Sequence, residues 1–231
     1  MDKVKRFDCD LFVSMSFDQI MKEELFSIPD FGTINCHSGK LPMYRGRNIL
    51  NWVLINGEDE FGITVHYIDK GIDTGDIICQ ETFEIYLSDN YKSILEKTYI
   101  NCPLVLIKAI NLIYDGNVKR IPQKSISLEG LYCSRRISGD EMINWNQSSS
   151  DIFNFIRALV DPGPFATANL NGNELKIIEA ELVPDAPSYK GIPGSILCKD
   201  NAGFLVKTKD SYIRITLWNC SIDPLTGMRF K

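Results

Sequence analysis

Asp10-Leu11-Phe12-Val13-Ser14-Met15 is a short apolar run, the pattern of a buried parallel strand. Ser16-Phe17-Asp18-Gln19 follows with capping-box spacing and predicts a helix to about Ser27. Gly32-Thr33-Ile34-Asn35-Cys36-His37 predicts the next strand, ahead of a loop holding Pro42 and Gly46. A helix through Ile49, Trp52, Val53 and Ile55 is expected to stop at Asn56-Gly57, a good C-terminal cap. Phe61 to Ile68 and Ile77 to Ile85 predict strands on either side of a glycine-rich acidic loop, Asp69 to Asp76. Helical spacing runs from Tyr91 to Tyr114, with Pro103 expected to kink or restart the helix.

The character changes after about Pro122. Ser150-Asp151 is expected to cap a helix with Ile152, Phe155, Ile156 and Leu159 on one stripe, ended by Asp161-Pro162-Gly163-Pro164. Phe165 to Leu170 and Glu174 to Leu182 flank Asn171-Gly172-Asn173, a strong hairpin signal. Gly194 to Cys198, Phe204 to Lys207 and Tyr212 to Leu217 complete a run of short strands. The expected fold class is therefore α/β: part of a doubly wound sheet, with a ligand crevice at the strand ends, followed by a small antiparallel β domain. The expected domains are 1–122, a connecting segment and helix over 123–163, and 164–231.

At 231 residues the chain can bury a real core in one domain or two. A net charge of -5 and a pI near 5.2 give no bulk electrostatic case for nucleic-acid binding. Seven cysteines, an odd number and without a C-x-x-C pair, fit a reduced, cytoplasmic protein. Met1-Asp2-Lys3-Val4-Lys5-Arg6 is not followed by a hydrophobic segment of signal-peptide length, and no run is long enough to span a bilayer. The expected setting is the cytoplasm, without membrane contact.

An extended backbone puts residues i and i+2 on one face, so Asn35 and His37 share a cleft and Cys36 points away. An amide, an imidazole and a carboxylate from the acidic loop are what acyl transfer to an amine requires. Cys36 is thereby a poor partner for His37 as a nucleophile. Two histidines and dispersed cysteines offer no zinc spacing, and the acidic loop lacks the alternating ligands and terminal glutamate of an EF-hand, so no metal is expected. His66, inside a strand, reads best as a packed structural imidazole.

Asn35-Cys36-His37-Ser38-Gly39-Lys40-Leu41-Pro42-Met43-Tyr44-Arg45-Gly46, followed by Asp69 to Asp76, resembles the signature of the folate-dependent formyltransferases. Gly46-Arg47-Asn48-Ile49-Leu50-Asn51-Trp52 with Gly62-Ile63-Thr64-Val65-His66 is most similar to the branch acting on nucleotide-linked amino sugars. The resemblance covers nearly the whole chain. It implies Asn35, His37 and Asp73 as catalytic residues, an open-barrel C-terminal domain, and 10-formyltetrahydrofolate as cosubstrate. Formyltransferases of this kind begin with several further βα units before the strand matching Asp10 to Met15, and those units are absent here.

In such a transfer His37 suits the general base and Asn35 the oxyanion donor, while Asp73 orients and charge-stabilises His37 or helps relay the proton toward the leaving folate nitrogen. The resemblance places the pterin against the segment after the first strand, Met15, Ser16 and Phe17, together with Asp73. Met15 and Phe17 suit plain core equally well. Ser38, Gly39, Lys40, Arg45 and Arg47 are candidates for the nucleotide-sugar pyrophosphate, with solvated surface an equal reading for Arg47. Arg135 and Arg136 are weaker candidates.

The expected substrate is a nucleotide-linked 4-amino-deoxysugar of surface polysaccharide (O-antigen) synthesis. The alternatives are methionyl-tRNA formyltransferase, against which the acidic balance counts, and a truncated relative that binds without turnover. No nucleic-acid partner is expected. An uncovered strand edge favours association, which leaves a homodimer open.

Overall fold

The strand pattern at 33–37 forms β2 (Thr33–His37), and β1 (Phe12–Met15) pairs with it in parallel, Ser14 opposite Asn35 and Met15 opposite Cys36. These elements belong to a computed structural model, which describes residue 4 and residues 8–231. The opening stretch read for a signal peptide therefore lies largely outside the described residues.

Two compact units divide the chain: the first runs to Leu50 and adds Asp59–Ile85 and Leu95–Arg135, and the second comprises Asn51–Glu58, Tyr86–Ile94 and Arg136–Lys231. The first unit holds a four-stranded sheet in the order β1-β2-β4-β5, where β4 is Glu60–Tyr67 and β5 is Ile77–Glu84. Its sheet is mixed. β4 runs antiparallel to both β2 and β5, and the acidic loop joins β4 to β5 as a hairpin. A two-residue strand β3 (Arg45–Gly46) pairs in parallel with β6 (Tyr132–Cys133).

Three readings near the start need correction. β1 is not buried on both faces: among its residues only Ser14 is buried, and Val13 and Met15 are each 44% exposed. The helix expected from Ser16 shrinks to α1 (Glu23–Phe26), with Lys22 at its N-cap and no side-chain cap. Ser16 has φ of +54°, and an N-cap needs extended backbone, so its capping-box spacing cannot act. Phe17 and Ile20 consequently stand exposed.

Elsewhere the pattern reads well. α2 (Ile49–Ile55) ends before Gly57, whose φ of +69° is the left-handed cap a side chain would resist. α3 (Tyr91–Tyr114) is one unbroken helix despite Pro103. Over the first unit's sheet it buries Cys102, Val105 and Ala109, and the Cys36 thiol donates to its Cys102 carbonyl.

In the second unit the N-cap of α4 (Ser149–Arg157) lies two residues before the expected Ser150. Ser148 is the N-cap and forms a reciprocal capping box with Asp151. Five antiparallel strands follow, β7 (Ala166–Leu170), β8 (Asn173–Leu182), β9 (Ile196–Asp200), β10 (Gly203–Lys207) and β11 (Tyr212–Cys220), ordered β7-β8-β11-β10-β9. The β7–β8 turn has positive φ at both Asn171 and Gly172, as a two-residue hairpin requires. Ile152 and Ile156 of α4 pack with Leu175, Ile177, Phe204 and Phe230 in this unit's apolar core. Among the described residues no helix is long and apolar enough to cross a membrane.

Candidate active site

Strand pairing assembles the site inside the first unit. In the β2–β4 register Asn35 lies opposite His66 and His37 opposite Thr64. Directly opposed residues share a face of the sheet, so Asn35, His37, Thr64 and His66 form one polar row. The hairpin turn after β4 then swings Asp73 over this row.

Asp73 is the centre of the cluster. Its Oδ2 lies 3.7 Å from His37 Nδ1 and accepts a hydrogen bond from the Gly46 N–H at 2.9 Å, while its Oδ1 lies 3.5 Å from His66 Nε2. Burial pushes the Asp73 carboxyl up, but the His66 contact, the His37 charge and the Gly46 N–H together outweigh it and hold the group down to about 2. Asp73 is thus ionised at neutral pH.

Each imidazole has one nitrogen fixed by a carbonyl, which can only accept a hydrogen bond. His37 Nε2 therefore donates to the Tyr44 carbonyl at 2.6 Å, and His66 Nδ1 donates to the Tyr67 carbonyl at 2.8 Å. In neutral His37 this leaves the Nδ1 lone pair facing Asp73. Burial pushes the His37 imidazole below its ordinary value, with Asp73 and the Tyr44 carbonyl opposing, so the ring is neutral at pH 7. His66 Nε2 lies 3.4 Å from Asn35 Nδ2. A neutral His66 accepts from Asn35, and a protonated one donates to Asp73.

His66 is packed inside β4 as expected, 2% exposed, and its Nε2 also faces Asn35 and Asp73. The signal was present in the alternation of Thr64 and His66, but it points at Asn35 only once the β2–β4 register is known.

Gly39 is buried because of His37. A Cβ there would sit 2.4 Å from the Tyr44 carbonyl oxygen and 2.5 Å from His37 Nε2, in the space their hydrogen bond occupies. Thr64 Oγ1 donates to the Gly39 carbonyl at 2.6 Å, and Gln80 Nε2 donates to Thr64 Oγ1 at 2.7 Å, which fixes the same turn.

The other expected site residues scatter in role. Ser38 Oγ lies 3.7 Å from Cys102 Sγ. Lys40 pairs with Glu60, and Arg47 donates to the Asp18 carbonyl. The Arg45 guanidinium donates through Nε and Nη2 to Gln123 Oε1 at 3.0 and 2.6 Å and lies 5.5 Å from the Tyr132 ring centroid. Met15, as register partner of Cys36, belongs to the face away from Asn35 and His37. Phe17 is half exposed in the turn beyond β1. Gln123, which no motif marked, is only 3% exposed and reaches the Asp73 loop. Among the described residues no group of three or more His, Cys, Asp or Glu is placed to hold a metal ion.

An ionised carboxylate between two imidazoles, beside a half-exposed amide, is equipped to take a proton from a nucleophile and to hold a developing oxyanion. That equipment sits on a chain that belongs to the formyl transferase family: residues 1–110 match the formyl transferase domain and residues 137–220 match the family's C-terminal domain. The methionyl-tRNA formyltransferase of Clostridium acetobutylicum is 34% identical over 94% of this chain and 68% of its own length. Its Clostridium tetani counterpart is 33% identical over 91% and 66%. The chain thus spans about two thirds of the length of the curated relatives it matches. An N-formyltransferase from Helicobacter canadensis, solved with folinic acid and dTDP-3-aminofucose, aligns with a TM-score of 0.71 at 28% identity, covering 90% of this chain and 73% of that one.

Proposed function

We propose that this chain transfers the formyl group of 10-formyltetrahydrofolate to the amine of a nucleotide-linked amino-deoxysugar. The carrying observation is the Asp73-centred cluster, with His37 Nδ1 3.7 Å from a carboxylate held in its ionised form. An attacking amine must shed a proton as its bond to the formyl carbon forms, and His37 Nδ1 is the acceptor. Asp73 offsets the charge that His37 gains. Asn35 Nδ2 has two hydrogens, and His66 Nε2 takes at most one, which leaves the other for the formyl oxygen as it becomes negative.

The residues after β1 suit a reduced folate. Ser14 is the register partner of Asn35, so the turn at Ser16 and Phe17 begins at the same end of the sheet as the Asp73 cluster and carries an exposed aromatic ring. Bound there, the folate supplies the formyl carbon. Lys40 and Arg47, both exposed, are the basic side chains proposed for the sugar-nucleotide phosphates, with Ser38 and Gly39 as backbone contacts. Arg45, with two nitrogens committed to Gln123, supports them from behind.

The Helicobacter canadensis protein, solved with dTDP-3-aminofucose, supports a sugar acceptor with its amine at C3, whereas the resemblance implies C4. The second reading, methionyl-tRNA formylation, is favoured by the curated relatives, whereas the net charge of -5 opposes it. Mass spectrometry after incubation with 10-formyltetrahydrofolate and thymidine-diphosphate 3-amino- or 4-amino-dideoxyhexose separates the two. One added formyl group on either sugar supports the proposal. Formylated methionyl-tRNA with neither sugar modified refutes it.

A further inference from the structure

Asp73 occupies an uncommon conformation. Its φ of +52° lies in the left-handed region, which residues other than glycine adopt rarely, aspartate and asparagine more often than the rest. Such a conformation persists only where the surroundings over-determine it. On one side Asp69 grips the loop, its Oδ1 accepting from the Gly71 N–H at 3.0 Å and from Thr74 Oγ1 at 2.5 Å. These bonds fix residues 69–74 to one another without tying them to the sheet.

The tie comes from far along the chain. Ile121 bridges Ile77, the first residue of β5, which brings the short 3-10 helix Gln123–Ser125 against the loop. Gln123 Nε2 donates one hydrogen to the Asp73 carbonyl at 2.8 Å and the other to the Gly75 carbonyl at 2.9 Å. Its Oε1 accepts from Arg45 Nε and Nη2. Arg45 is the neighbour of Gly46, whose N–H holds the Asp73 carboxylate. One buried amide with its full hydrogen-bonding capacity engaged therefore links the backbone of Asp73 to the strand that grips its side chain. Gly75 leaves no slack, since a Cβ there would sit 1.9 Å from the Tyr67 carbonyl oxygen.

We infer that Gln123 is a positioning residue: it locks Asp73 in the left-handed conformation that aims one carboxylate oxygen at each histidine. It touches no reacting atom and acts through Asp73. The segment after α3, which reads as a mere connection, is thereby part of the active site.

The chain has two histidines, so an imidazole NMR titration resolves the geometry directly. His37 faces Asp73, His66 and the Tyr44 carbonyl, and of these Asp73 is the charge that raises its midpoint. Gln123→Met keeps the side-chain length and removes every hydrogen bond. If Gln123 aims the carboxylate, the His37 midpoint falls by about one pH unit, the size of effect a neighbouring opposite charge carries. Gln123→Asn, a milder change that retains an amide, gives a smaller fall and carries the measurement if Gln123→Met does not fold. Peak assignment comes from His66→Gln. An unchanged His37 midpoint in folded variants, with only a lowered Tm, makes Gln123 structural support and overturns the inference.

The kinetic consequence, a lower kcat with KM for folate preserved, rests on the formyl-transfer reading, whereas the titration does not. A moving His37 midpoint in a chain that formylates no acceptor would sink that reading and leave the positioning role standing.

Discussion

Both units bury polar side chains, and they do so to opposite ends. In the second unit Lys207 is 1% exposed, and its ammonium donates to the Thr208, Lys209 and Ser211 carbonyls. Asp210 Oδ1 accepts from the Ser149 N–H, from Thr208 Oγ1 and from the Ser211 N–H, which ties the first turn of α4 to the β10–β11 loop. That network is closed: its donors and acceptors satisfy one another, and its product is a fixed loop.

In the first unit His37 and His66 are as deeply buried, but their network stays open. One nitrogen of each ring is anchored to a carbonyl, the other faces an ionised Asp73, and Asn35 beside them is half exposed with a donor to spare. A satisfied buried network rigidifies a fold, whereas one with an unspent base and an unspent donor is equipped for chemistry. The contrast predicts different outcomes for superficially similar deletions.

The largest effect is expected from His37→Ala. Turnover falls by about 10²–10⁴-fold, the range carried by a positioned acid–base group, with the circular dichroism spectrum unchanged. Near-normal turnover would remove His37 as the base. Asn35→Ala is expected to cost about 10²–10³-fold in kcat, as the loss of one oxyanion donor does elsewhere, and a loss confined to KM would assign Asn35 to binding.

Gly39→Ala sharpens the contrast differently. Its methyl group meets the Tyr44 carbonyl and the His37 ring, so the turn must move, at about 1–3 kcal/mol of stability. Activity should fall further than Tm suggests, and a stability loss with full activity per folded molecule would show that His37 tolerates displacement. Lys207→Met removes the ammonium from the Thr208, Lys209 and Ser211 carbonyls, of which Ser211 keeps the Thr208 N–H, and costs about 1–3 kcal/mol, read by urea denaturation. Turnover per folded molecule should be unaffected.

The pH response is the gentlest probe. The folded His37 value lies below its unfolded one, so the unfolded chain binds the extra proton first. Stability should decline as pH drops below about 6.5, the unperturbed imidazole value, and the acid limb of kcat/KM should lie below the same point. Asp73 adds stability above the ordinary carboxylate value of about 3.9, which is lost as pH falls toward about 2. An Asp73→Asn variant that kept the full acid dependence of denaturation would contradict the second part.

The same contrast explains how much was legible in the sequence. The hairpin at Asn171-Gly172 and the apolar stripe of α4 follow from local rules, because turn conformation and helical period are set within a few residues. That Asn35 and His37 share a face was legible because alternation on β2 is local, whereas the approach of Asp73 to His37 and His66 depends on the fold of its loop. The place of His66 was not legible, since its partners depend on the β2–β4 register. Gln123 was not either, since a lone glutamine after a proline has no local signature and gains its role through β5 and Arg45. The helix expected from Ser16 failed for the converse reason: its cap spacing was right, but the chain leaves β1 through a left-handed Ser16 that cannot cap.

The most direct test of the account is one side-by-side turnover measurement of the wild type and His37→Asn. Each receives 10-formyltetrahydrofolate with the thymidine-diphosphate amino sugars and, separately, with methionyl-tRNA, and the products are read by mass spectrometry. A formylated sugar nucleotide is expected from the wild type and, from His37→Asn, a yield lower by at least about 10²-fold. Formylation of methionyl-tRNA alone, or a sugar product undiminished in His37→Asn, would contradict it.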